Sequence, residues 1–205
     1  MSFKKIHPEL KEALDRIGFT KPLPFQKEML SKIKGGASVF GIAPEGAGKT
    51  NTIVMGTLQK LNCAAFEDAP RALIFVKDKA AALALEAEFK KYTLRMDLRV
   101  YSVYEEHQIQ AQRNDIYEGV DIVIATPKRL NKIFYLNGIN LGKLQLFIVE
   151  DAEFLTNANV FSDLIRTPQS LERCQYLVFS TRFDDRMTRM QELFMANAQI
   201  VRTSP

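Results

Sequence analysis

The residues best suited to chemistry lie between Ser38 and Thr50, SVFGIAPEGAGKT, where an apolar run breaks into a glycine-rich turn ending in Gly48-Lys49-Thr50. Successive backbone N–H groups in such a turn, at the start of a helix, form a nest for polyphosphate oxygens, because the first amides of a helix lack internal partners. A lysine in this place reaches the outer phosphates and a threonine hydroxyl holds Mg²⁺, the roles open to Lys49 and Thr50. The general phosphate-loop pattern asks for glycine where Ala43 stands, so the match is to the narrower form A-x-x-G-x-G-K-T, carried by Ala43, Gly46 and Gly48, with Ala47 between the two glycines as part of the candidate loop. The alternative is a glycine-rich turn that binds nothing. Against it, residues 38–43 have the pattern of a buried strand and residues 49–61 that of a helix, the context a phosphate loop requires.

Other polar groups follow apolar runs in the same way. The run LQLFIV delivers Glu150, Asp151, Ala152 and Glu153, and QYLVF delivers Ser180, Thr181 and Arg182. Carboxylates beside a phosphate loop suit a Mg²⁺-nucleotide site, one holding the ion through water and one orienting the attacking water. An acidic turn after a strand is otherwise a helix start. Thr126-Pro127-Lys128-Arg129 and the pair Lys77 and Lys79 end two further strands, and with Arg182 they form a basic rim that tracks phosphates or is simply solvated. Upstream, Gln26 follows a turn with two prolines, GFTKPLPFQ. Its amide offers a donor and an acceptor side by side, as an adenine edge requires, or it caps its own helix.

The elements that must position these groups alternate regularly. Strands are expected at residues 38–43, 72–76, 98–103, 120–125, 144–149 and 175–180, and helices at 7–17, ahead of Gly35, and at 49–61, 79–92, 108–117, 128–134, 160–165 and 184–196. Continuous apolar strands alternating with amphipathic helices specify an α/β fold, a mostly parallel sheet covered on both faces, with ligands bound at the carboxyl ends of the strands. At 205 residues and 46% hydrophobic content the chain suits one packed α/β domain and is too short for two such lobes. The formal charge of +4 is compatible with nucleic acid without requiring it. Two cysteines, Cys63 and Cys174, fit neither a disulfide framework nor metal-ligand spacing, and no run approaches the roughly 20 apolar residues of a membrane span, so a cytoplasmic setting without membrane is expected.

Taken in order, these motifs resemble the amino-terminal RecA-like lobe of DEAD-box RNA helicases over nearly the whole chain. GFTKPLPFQ is similar to the family's adenine-reading Q motif, with Phe3 in the place of its upstream aromatic, APEGAGKT to its phosphate loop, VEDAE to its namesake tetrapeptide, TPKR to its TPGR segment and FSTRF to its FSATF segment. The resemblance implies ATP held by Phe19, Gln26 and the loop, Mg²⁺ near Thr50 and Glu150, and catalysis by Lys49, Glu150 and Asp151. It also implies single-stranded RNA held weakly by its backbone at Lys77, Lys79, Thr126, Pro127, Lys128 and Arg129, with Glu153, Ser180, Thr181 and Arg182 coupling the ATP state to RNA. Residues 1–36 would then be amino-terminal helices carrying the Q-like motif and residues 37–205 the RecA-like lobe, packed as one domain.

Departures from the family pattern shape the expectation. Asp-Glu-Ala-Asp is replaced by Glu150-Asp151-Ala152-Glu153, so every carboxylate survives at the other length. A misplacement of about 1 Å costs about a hundredfold in rate, which favours metal binding over hydrolysis. Glu45 stands where the family has threonine, and Lys77-Asp78-Lys79-Ala80-Ala81-Ala82 replaces Pro-Thr-Arg-Glu-Leu-Ala. Tyr104, Glu105 and Glu106 stand where paired glycines are expected, Lys128 replaces the glycine of TPGR, and Arg182 replaces the threonine of Ser-Ala-Thr. The family's second RecA-like lobe is expected from a partner or from further chain, and strand separation by these residues alone is not expected. The rival expectation is a degenerate, non-hydrolysing module that binds RNA or protein; a small-molecule kinase explains Gln26, TPKR and FSTRF less well.

Overall fold

A computed structural model describes residues 6–168, 171 and 173–203; Phe3, expected beside the Q-like motif, lies outside them. The chain runs α1 (Pro8–Arg16), α2 (Pro24–Lys34), β1 (Val39–Ile42), α3 (Lys49–Lys60), β2 (Ala72–Phe75), α4 (Lys79–Thr93), β3 (Val100–Val103) and α5 (Ile109–Tyr117). It continues through β4 (Ile122–Ala125), α6 (Pro127–Tyr135), β5 (Leu146–Val149), a short 3-10 turn (Ala152–Phe154), α7 (Ala158–Ile165), β6 (Gln175–Ser180), α8 (Asp185–Leu193) and β7 (Gln199–Arg202). Every expected strand and helix is present. One strand, β7, was not expected from the sequence pattern, and the last helix ends at Leu193 rather than Ala196, where the N–H groups of Phe194 and Met195 both close on the Met190 carbonyl.

The strands form one seven-stranded sheet in the order β3-β4-β2-β5-β6-β1-β7, and all its pairings are parallel. Alternate side chains of each strand enter opposite layers, as the pleat demands. Val39, Ile74, Ile124, Ile148 and Phe179 pack with α1 to α4 through Leu10, Phe25, Met29, Ile53 and Phe89. Phe40, Phe75, Val123, Phe147 and Val178 face the other way, onto Ile116, Leu130, Phe161, Met187 and Met190 of α5 to α8. Local chemistry starts several helices. Asp78 accepts from the Ala81 N–H at 2.8 Å, Asn157 from the Asn159 N–H at 2.9 Å, and prolines open α1, α2 and α6. Among the described residues no helix is long and apolar enough to cross a membrane.

At the amino-terminal edge of the strands a buried carboxylate ties loops together. Asp121 accepts from Arg71 Nη2 at 2.6 Å and Arg99 Nε at 3.0 Å, and from the N–H groups of Phe66 and Arg99 at 3.1 Å each. Burial pushes this carboxyl upward, but the hydrogen bonds from Arg99 and Arg71 outweigh it and hold it below its ordinary 3.8. Asp121→Ala, which leaves the Arg71 charge buried without its partner, is expected to cost about 3–5 kcal/mol in urea denaturation. The folded-state pKa lies below the unfolded one, so this contribution is present above the unfolded value and is lost as the pH falls. The gap between wild type and Asp121→Asn should therefore narrow as the pH is lowered below about 4.

Candidate nucleotide and nucleic-acid site

The parallel register brings the expected groups to one edge. Ile42 pairs with Ser180, and Val149 with Val178, so the turns after β1, β5 and β6 leave the sheet side by side. After β1 the chain enters the loop Ala43–Gly48 and then α3. Gly46 and Gly48 both have φ of 79°, a left-handed conformation that side chains resist. Lys49, the first residue of α3, folds back over the loop and donates from Nζ to the Ala43 carbonyl at 2.8 Å. Thr50 Oγ1 lies 3.3 Å from Glu150 Oε1, so phosphate loop and acidic turn touch through the two groups singled out for metal. Glu45 is exposed at the outside of the loop.

Gln26 is 1% exposed and holds both ends of its amide in place. Its Oε1 accepts from the Leu23 N–H at 2.9 Å, closing the first turn of α2, and its Nε2 donates to the Gly48 carbonyl at 3.2 Å. The helix-capping role is thus realised, and the same amide fastens α2 to the phosphate loop. One further N–H and one further lone pair remain for an adenine edge. Phe19 is half-buried against the layer formed by α1 to α4.

The acidic turn has distinct partners at each carboxylate. Burial pushes Glu150 up, opposed by the Thr50 hydroxyl and the Lys77 charge. Partial burial and the neighbouring Glu153 and Glu150 carboxylates push Asp151 up to about 7, against the pull of Lys49. Burial would raise Glu153 too, but hydrogen bonds from Asp151, Thr181 and Ser180 bring it down to about 2. Glu153 accepts from Ser180 Oγ at 2.8 Å and from both the N–H and the hydroxyl of Thr181, which favour its ionised form, whereas burial and the neighbouring carboxylates favour the protonated form of Asp151. Arg182 is largely exposed and pairs with Asp184 at 3.5 Å. A cleft of about 570 Å³ opens beside Lys49, Thr50, Lys77, Glu150 and Asp151.

An ion here suits the donor set. A hydroxyl and a buried carboxylate are hard oxygen donors, and a divalent charge offsets the cost of burying Glu150. Among the described residues no group of three or more His, Cys, Asp or Glu is placed to hold an ion.

The basic rim departs from expectation. Lys77, Lys79 and Lys128 are exposed at the edge, but Pro127 is the buried first residue of α6 and Arg129 is only 7% exposed. Arg129 donates to the carbonyls of Glu105 and His107, the latter at 3.1 Å, and Thr126 donates to Glu105 Oε2 at 2.6 Å. As the structure stands, Arg129 and Thr126 shape the turn after β3 and face no solvent. Sequence reasoning also missed Arg186, which donates to the carbonyls of Ala152 and Glu153 at 3.0 and 2.9 Å and clamps the acidic turn to α8. Its one local signal is a helix start, Asp184-Asp185-Arg186, with Asp184 accepting from the Arg186 N–H at 3.1 Å.

Comparison with known proteins places this geometry. A family model described as DEAD/DEAH box helicase matches residues 23–190. The chain is 29% identical to the ATP-dependent RNA helicase RhlB of Salmonella paratyphi A, over 98% of this chain and 49% of that protein. It is 25% identical to the ATP-dependent RNA helicase DeaD of Buchnera aphidicola, over 98% of this chain and 33% of that one. It therefore spans half or less of the length of these curated relatives. Its fold matches the crystal structure of a DEAD box protein from Methanococcus jannaschii with a TM-score of 0.88 at 18% identity, covering 98% of this chain and 55% of that one. A hypothetical ATP-dependent RNA helicase from Sulfolobus tokodaii matches with a TM-score of 0.82 at 21% identity, over 94% and 56% of the two chains.

The loop geometry makes a local prediction. A Cβ on Gly48 would lie 2.3 Å from Gln26 Nε2, whereas one on Gly46 meets nothing within 4 Å, and both positions have φ of 79°. Gly46→Ala is expected to show only the backbone strain, and Gly48→Ala to lose about 1–3 kcal/mol and to displace Gln26 as well. Thermal melts of the two variants, with the Gln26 amide resonances followed by NMR, check the order.

Proposed function

Because the chain belongs to the DEAD/DEAH box helicase family, we propose that it forms the ATP-binding lobe of an ATP-dependent RNA helicase or RNA-dependent ATPase. The observation that carries this reading is the meeting of Lys49 and Thr50 with Glu150 at one sheet edge, beside a cleft. Lys49 exchanges its bond to the Ala43 carbonyl for one to the outer phosphates, and the loop amides at the start of α3 take the remaining oxygens. Gln26, already holding the loop through Gly48, reads adenine with its remaining donor and acceptor, with Phe19 nearby in the chain. Thr50 and Glu150 would hold Mg²⁺, which when bound neutralises charge on the phosphates. Asp151 would orient the attacking water in its ionised form, and Glu153 links the acidic turn to Ser180 and Thr181.

Single-stranded RNA would meet the exposed Lys77, Lys79 and Lys128 weakly, through its backbone. Residues 1–36 would serve as the adenine-reading cap of the lobe formed by 37–205, the two packing as one unit. A second RecA-like lobe would supply the other half of each site, in keeping with the greater length of the relatives. The free thiols Cys63 and Cys174 suit a reducing, cytoplasmic setting. A non-hydrolysing regulatory module is the second reading, favoured by the burial and neighbouring carboxylates that raise Asp151, since a protonated carboxyl is a poor partner for the attacking water.

Titration of the chain with Mg²⁺ and fluorescent adenine or guanine nucleotides tests the first reading. Saturable, adenine-selective binding is expected, weakened about 10- to 100-fold by Lys49→Ala, which removes a charge-assisted hydrogen bond. Failure to bind at millimolar nucleotide overturns it. Addition of a separate second lobe then divides the two readings: turnover that disappears in Lys49→Ala belongs to the ATPase, and bound but unhydrolysed ATP to the regulator.

A further inference from the structure

Within the proposed RNA edge, on which this inference rests, we propose that Glu105 limits RNA binding: its carboxylate occupies the position a backbone phosphate would take at the start of α6, and so holds down the affinity of this lobe for RNA. Thr126 stands at the amino-terminal end of α6, yet its hydroxyl caps none of that helix's N–H groups. The hydroxyl donates instead to Glu105 Oε2 at 2.6 Å. A carboxylate oxygen here makes the hydrogen bond that a phosphate oxygen would accept, at the positive end of a helix where anions are favoured.

The turn carrying Glu105 is fastened in that position. Arg129, 7% exposed, donates from Nη2 to the Glu105 and His107 carbonyls. The Thr126 N–H donates to the Val103 carbonyl at 3.2 Å, so the ends of β3 and β4 hold the two partners at fixed separation. Thr126 itself is 4% exposed. Nearby, the Lys79 ammonium lies 5.3 Å from the centre of the Tyr104 ring, and Tyr104 in turn meets His107 edge to face. Of the polar groups expected to hold phosphate, Thr126, Arg129 and Lys79 are thus engaged by residues 104–107, while Lys77 and Lys128 are exposed. An incoming phosphodiester must displace the Glu105 carboxylate or lie against it, and like charges at this distance repel.

The test is fluorescence anisotropy of a labelled single-stranded oligouridylate with the chain, in a salt series, comparing wild type with Glu105→Ala, Glu105→Gln, Lys128→Ala and the double variant Glu105→Ala/Thr126→Val. Glu105→Ala is expected to bind about tenfold tighter, and Glu105→Gln, which keeps the acceptor and loses the charge, somewhat less so. One added phosphate contact should steepen the slope of log affinity against log salt by about 0.7, a change that loosened packing alone does not produce. Adding Thr126→Val should remove the gain. Equal binding by wild type and both Glu105 variants, with Lys128→Ala still weaker, overturns the inference and leaves the RNA edge standing. Absence of binding in every variant overturns both. If Glu105→Ala melts before the assay temperature, Glu105→Gln decides between these outcomes.

Discussion

The parallel register of β1, β6 and β5 is the constraint on which the site depends. Ile42 opposite Ser180 and Val149 opposite Val178 bring three turns out of the same edge of the sheet, the one after β5 leaving two residues before the other two, across about 10 Å at ordinary strand spacing. Within that span Thr50 reaches Glu150 and Glu153 reaches Ser180 and Thr181. A slip of one residue in β6 would turn Leu177 and Phe179 out of one core layer and Val178 out of the other. Hydrophobic packing on both faces therefore sets the geometry of a polar site that contributes little to the core itself.

Three polar side chains at this edge already hold a protein partner, and that shapes what a ligand must do. Lys49 rests on the Ala43 carbonyl, Gln26 on the Gly48 carbonyl, and Thr126 on Glu105. Binding at each point is an exchange of partners, with a net free energy smaller than the new contact alone suggests. The exchange at Lys49 favours an anion, because a neutral carbonyl is a weaker acceptor for an ammonium than a phosphate. At Thr126 the resident partner is already an anion, so the same exchange offers much less. The proposed nucleotide and RNA ends of the edge consequently differ in readiness, although both derive from the same sheet.

Most of the fold was legible because buried parallel strands announce themselves as unbroken apolar runs such as IVIA and LFIV between amphipathic helices. β7 was not, since it lies at the sheet edge with only Val201 buried among Gln199, Ile200 and Arg202, and four such residues carry no period. The phosphate loop and the acidic turn could be recognised because each is contiguous in sequence. Arg129 was misjudged as a surface cation because nothing local says that the carbonyls of Glu105 and His107 fold over it. Arg186 escaped notice for the same reason, its partners Ala152 and Glu153 lying on a turn from another strand. Contacts between loops of neighbouring strands are fixed by the register, which no single segment encodes.

If the turn after β1 and the acidic turn after β5 form one nucleotide site, a crystal structure of the chain with Mg²⁺ and a non-hydrolysable ATP analogue will show it. The triphosphate is expected on the amides at the start of α3, the Lys49 ammonium moved from the Ala43 carbonyl to phosphate, and the ion near Thr50 and Glu150. Nucleotide bound elsewhere, or Lys49 still on Ala43 beside an ordered nucleotide, would contradict it.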